Sequence, residues 1–216
     1  MTELLRQLDE EADAEYELES EEGSLFSGSA LLVGVVTMAW ASVAFAYFYL
    51  KELDRAKLWR PPGLHPPILI GDLIGLCVLA GAILFTYGVH RLQRGLAFEW
   101  ELAAWLCVGC GMTATGLQVW QLTRLGFLPG EGGYTSVFVG FAILNMAFLF
   151  GGGLWAEMVA ARGLRLRAKY APETYLGVSV LPEVRVWRAS LRGCLMFWWY
   201  MVLVSTFFWV LFYVLK

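Results

Sequence analysis

Long apolar runs alternate along the chain with short charged connections. Phe26 to Leu50 carries no charge, and Ile68 to Val89 carries only Asp72. Leu102 to Thr123 is uncharged, Gly132 to Ala156 is uncharged and continues past Glu157 to Ala161, and Gly193 to Leu215 is uncharged. A bilayer core about 30 Å thick needs about 20 predominantly apolar residues per helix. Backbone groups in lipid must be satisfied within the segment, so runs of this length are expected to be helices. The alternating ten-residue segments of a membrane barrel are missing. The pattern predicts an all-α fold, an integral membrane bundle of five transmembrane helices. The spans fall at about 26–50, 68–89, 102–123, 133–161 and 193–215. The first run is too long for a cleavable signal peptide and follows acids rather than bases. The connections are too short for a second domain, so residues 26–216 read as one transmembrane domain.

Charge changes the picture at the N-terminus. Residues 1–24 hold ten acids against Arg6, a charge of −9, while the remainder holds fifteen bases and nine acids, a charge of +6. High charge with few large apolar residues predicts that residues 1–25 form a disordered, cytoplasmic acidic tail. Leu4, Leu5 and Leu8 share one helix face, so docking on a basic partner is the other reading of the tail. Five spans place the termini on opposite sides. The tail and the 90–101 and 162–192 connections carry ten Lys/Arg, and the opposite set carries six. The more basic side belongs inside, so the N-terminus is expected inside and the C-terminus outside. Overall composition agrees with a membrane body: 58% hydrophobic, 16% charged, mean hydropathy +0.59. No basic stripe exists beyond what a membrane rim needs, so nucleic acid is not an expected partner.

Candidate chemistry is sparse. Arg162, Arg165, Arg167 and Lys169 cluster just past the fourth span, where they are expected to meet anionic lipid headgroups. Gly71 and Gly75 form a G-x-x-x-G pair, a helix-packing signal in lipid. Gln118 and Gln121 share a face of the third span and Asn145 lies mid-way along the fourth, so these amides are candidates for interhelical hydrogen bonds. The two histidines, His65 and His90, fall on opposite sides and away from mid-membrane, which argues against a bis-histidine haem. Cys107 and Cys110 supply at most two ligands where zinc wants four. Cys77 and Cys194, also in spans, read with them as small buried thiols. Asp72 and Glu157 sit near span ends and read as interfacial groups. The aromatics of the fifth span, from Phe197 to Tyr200 and from Phe207 to Tyr213, suit interfacial or packing positions against lipid and a partner. No catalytic site, metal site or cofactor site is expected in this chain.

Several local strings, in order, resemble subunit III of the haem-copper terminal oxidases (the cytochrome c oxidase type) in its short five-helix form. The first span ends in Phe45-Ala46-Tyr47-Phe48-Tyr49. Trp59-Arg60-Pro61-Pro62-Gly63-Leu64-His65-Pro66 is similar to the family's W-P-P-x-G-I-H-P loop. His90-Arg91 and the Gly95 turn close the second span as they do in the family, and Leu117-Gln118 resembles its L-x-Q. Gly133-Tyr134-Thr135-Ser136-Val137-Phe138 resembles G-x-Y-x-S-x-F-F, Val139-Gly140-Phe141 resembles the T-G-F that follows, and Trp209-Val210-Leu211-Phe212-Tyr213 resembles W-L-x-L-Y. The likeness runs over about residues 28–215.

The chain departs from the family where the family carries ionisable groups in the membrane. The acid of the first of these helices is replaced within Val35-Val36-Thr37-Met38. Gln-x-x-Glu becomes Gln118-Val119-Trp120-Gln121, and the two histidines after T-G-F fall at Ala142 and Asn145. The W-H-F-x-D pattern has neither its His nor its Asp between Trp198 and Thr206. What the resemblance implies is the scaffold role: a non-catalytic, phospholipid-holding subunit. It would flank catalytic subunit I among the other oxidase subunits and support proton uptake and stability. Haem and copper would then reside in partner subunits, and the complex would sit in a bacterial inner (cytoplasmic) membrane. Two other readings remain, the related accessory membrane subunit of a nitric oxide reductase and a small transporter or lipid-handling protein.

Overall fold

The computed structural model describes residues 2–54, 59–60, 66–170 and 181–215. The loop residues Pro61 to His65, which carry part of the resemblance, and the terminal Lys216 lie outside the described residues. Among the described residues five α-helices carry the fold: α1 (Thr2–Glu52), α2 (Ile68–Gln93), α3 (Ala97–Thr123), α4 (Gly133–Lys169) and α5 (Pro182–Trp209). A π-helical turn, Val210–Val214, ends α5. All five contain stretches long and apolar enough to cross a membrane, and no strand occurs among the described residues. This is the helical architecture of a multi-pass membrane protein.

The helices overrun the uncharged windows. α3 starts at Ala97 rather than near residue 102, α4 continues to Lys169, and α5 begins at Pro182, eleven residues before its uncharged run. Charge ends an apolar run without ending a helix: Arg, Leu, Ala and Lys are all good helix formers, so residues 161–169 simply continue the fourth span. Pro182 at the first helical position and Glu183 in the first turn then start α5. Between α2 and α3 the turn runs through Gly95 at φ +82°, a left-handed conformation that glycine adopts without a Cβ penalty.

The acidic segment also differs from expectation. It is helical from Thr2 onward and continuous with the first span, where composition predicts disorder. Its Glu, Leu and Ala content favours helix. Two anchors hold the later part: Leu18 is buried, and Arg185 on α5 donates to Glu22, Nε to Oε1 at 2.6 Å.

α5 is the centre of the bundle. It packs on α1, α2 and α4, while α2 lies on α3 and α3 on α4. Of its aromatics, expected at interfacial or packing positions, many turn inward. Trp198, Phe208 and Phe212 are buried completely or nearly so, whereas Trp199 and Phe207 face out. Small residues on the neighbours make the room. A methyl group on Gly81 or Gly111 would lie 3.1 or 3.0 Å from the Trp198 ring, and one on Gly152 would lie 2.7 Å from Phe197. The glycines of α2, α3 and α4 thus form sockets for the bulk of α5, a use of small residues beyond close backbone approach.

Candidate functional site

At the end where α1 and α3 stop and α2 and α4 begin, residues from four segments meet. The indole of Trp59 stands edge-on to Tyr47 (5.0 Å between ring centres) and to Tyr134 (5.9 Å). The Tyr134 N–H donates to the Trp59 carbonyl at 3.0 Å, and the Arg60 guanidinium lies 4.7 Å from the Tyr134 ring centre. Both tyrosine hydroxyls are spent on the end of α5. The one hydroxyl proton of Tyr47 is shared between the carbonyls of Leu211 (3.0 Å) and Leu215 (3.2 Å), and Tyr134 Oη donates to that of Phe212 (2.8 Å). The last carbonyls of a helix have no intrahelical partner, and in an apolar setting leaving them bare is costly. These hydroxyls fill that need where α5 widens into its π turn.

A polar ladder descends from this corner into the bundle. Gln121 Nε2 donates to Tyr213 Oη at 2.7 Å and to the Pro67 carbonyl at 3.3 Å. Gln118 Nε2 donates to Gln121 Oε1 at 2.7 Å, and Asn145 Nδ2 to Gln118 Oε1 at 2.8 Å. The three amides are 1–2% exposed. Helix α3 presents the two glutamines one turn apart, so both fall on its inner face and meet α4 and α5. Gly71 and Gly75 on α2, the two glutamines and Asn145 line one small cavity of about 30 Å³, together with Ser205, Trp209 and Tyr213. The structure therefore brings together all five residues that the sequence offered as packing or partner candidates. Beside them Trp209 Nε1 donates to Asp72 Oδ1 at 2.7 Å, tying α5 to α2. Amides and hydroxyls donate and accept without titrating near neutral pH, so the ladder fixes helix register and does not carry a titrating proton site.

At the opposite end the basic cluster divides. Arg162, Arg165 and Lys169 line a groove of about 830 Å³ whose apolar wall includes Leu154, Met158 and Leu166. Glu157 and Glu183 edge the same groove, and Lys169 Nζ pairs with Glu183 at 2.8 Å. Arg165 forms no ion pair among the described residues. Arg167 points elsewhere and pairs with Glu101 on α3. Glu101, read from sequence as part of a connection, is a buried helical residue at 8% exposure, and its second oxygen, Oε1, has no protein partner. Its depth had no local signal, because the partner lies 66 residues away. Ser205 was equally hard to single out: one hydroxyl in an apolar run gives no periodicity.

The four cysteines are free thiols. Among the described residues no three His, Cys, Asp or Glu gather as a metal ligand set. No family model matches the chain, and no curated protein matches it.

Proposed function

We propose that this chain is a non-catalytic, lipid-holding scaffold subunit of a respiratory haem-copper oxidase, of the subunit III type, seated beside the catalytic subunit. One observation carries the reading: four of the strings that resemble the family meet at one end of the bundle. Tyr47 comes from the first string, Trp59 and Arg60 from the loop string, Tyr134 from the fourth-span string and Phe212 from the last. Phe212 lies 5.6 Å from Tyr47 and 5.8 Å from Tyr134, ring centre to ring centre. These residues are spread over 165 positions of sequence and pack as one aromatic corner.

The chemistry in the bundle suits support rather than turnover. Its buried ladder is made of neutral amides, and haem and copper belong to partner subunits in this reading. With the more basic side inside, the groove at Arg162 and Arg165 faces the cytoplasm and takes a phospholipid. A phosphate would sit among the bases while an acyl chain follows Leu154 and the exposed Met158. The same fold would serve as the accessory membrane subunit of a nitric oxide reductase.

Deleting the gene and purifying the remaining complex tests the proposal. Haem and copper content per catalytic subunit are expected to stay unchanged, while the half-life of oxidase activity during turnover falls. Loss of either metal cofactor, or unchanged durability, would contradict it.

A further inference from the structure

We propose that the cavity between α2, α3, α4 and α5 is a binding site for one water molecule, held by Asn145 Oδ1 and Ser205 Oγ inside the membrane-spanning bundle. Two observations meet there. First, Asn145 and Ser205 are 2% and 9% exposed, both line the cavity, and neither atom has a protein partner. Asn145 spends its NH₂ group on Gln118, so its oxygen is the open acceptor at the end of the ladder. Second, Ser205 lacks the bond that several other helix hydroxyls make. Thr37, Ser42, Thr86, Thr115 and Thr206 each donate to the carbonyl four residues back, at 2.7 to 2.9 Å. Ser205 makes no such bond, although its neighbour Thr206 does.

Leaving two buried polar atoms bare costs the desolvation of both groups. A water needs roughly 10–15 Å³ of room for its centre and two to four polar partners. The cavity offers about 30 Å³ and both requirements are met. Water donating one hydrogen to Asn145 Oδ1 would extend the ladder across to α5 through Ser205. The size excludes an organic ligand. A metal cation is disfavoured because the lining provides amide and hydroxyl oxygens and no carboxylate; Asp72, on the neighbouring turn, is engaged by Trp209.

The test is a density map of the full chain, in its complex or in a lipid nanodisc, at a resolution that shows ordered water. One peak at about 2.6–3.2 Å from both Asn145 Oδ1 and Ser205 Oγ is expected. A dry cavity, a lipid chain in it, or Ser205 Oγ turned onto the Met201 carbonyl would overturn the proposal. A double-variant cycle gives an independent reading. The drop in thermal midpoint caused by Ser205→Ala is expected to be at least halved in an Asn145→Leu background, because the shared water is already lost. An equal drop in both backgrounds would overturn it.

Discussion

Gln118 donates its side-chain N–H to Gln121 Oε1 at 2.7 Å while its own oxygen accepts from Asn145. It is therefore the middle rung of a ladder with one direction. Replacing it, as Gln118→Leu, strands Gln121 Oε1 above and Asn145 Nδ2 below. The expected loss is about 1–3 kcal/mol of bundle stability. Asn145→Leu removes an end rung and is expected to cost less. Unfolding followed by tryptophan fluorescence in mixed micelles checks the order, and an equal or reversed order would contradict the ladder.

The two glycines of the G-x-x-x-G pair are predicted to behave differently. A methyl group on Gly71 would fall 2.5 Å from Tyr213 Oη, whereas one on Gly75 meets nothing within 4 Å. Gly71→Ala must push Tyr213 off Gln121, with an expected cost of about 1–3 kcal/mol. Gly75→Ala is expected to lie within about 0.5 kcal/mol of the parent chain. Thermal melts of the two variants side by side decide it.

Removing either partner of the Arg167–Glu101 pair is predicted to be unequal in effect. Arg167 is 46% exposed at its side chain and Glu101 only 11%, so Arg167→Ala leaves a carboxylate uncompensated in a buried place. About 1–3 kcal/mol is expected, with solvent reaching the arginine keeping the figure below that of a fully buried pair. Glu101→Gln leaves a neutral amide and an arginine that can turn to water, and is expected to cost less. The comparison is made by the same melts; a costlier Glu101→Gln would refute the burial argument.

Arg162→Gln and Arg165→Gln are expected to weaken retention of anionic phospholipid about fivefold each, from about 1 kcal/mol per base near the membrane surface. Arg167→Gln, whose side chain is committed to Glu101, is expected to change retention far less. Native mass spectrometry of the detergent-solubilised chain measures bound lipid directly. Equal effects at all three positions would mean that the groove does not select.

Much of the architecture was legible in the sequence because an uncharged run of twenty residues has one structural answer in lipid, whatever its neighbours do. The ends were less legible. Arg162 to Lys169 and Pro182 to Arg192 look like connection by charge but are helix by propensity. Burial was harder still. A helix such as α5, apolar on most faces, gives no periodic signal to say that Trp198 faces in and Trp199 faces out. Which glycine serves as a socket depends on what stands opposite it, and that information lies on other helices. The amides could be singled out because polar groups are rare at that depth, yet their order along the ladder, and the part of Ser205 and Tyr213, required coordinates.

The central claim, that this chain sits in a haem-copper oxidase, is tested most directly by purifying it under an affinity tag from mild detergent and resolving the product on a blue-native gel. The prediction is a single high-mass band that contains this chain with a catalytic subunit, shows haem absorbance and carries copper, and in which oxygen is reduced. Haem-bearing material that reduces nitric oxide but not oxygen would move the chain to the related reductase. A band that holds this chain without haem or copper would contradict the account.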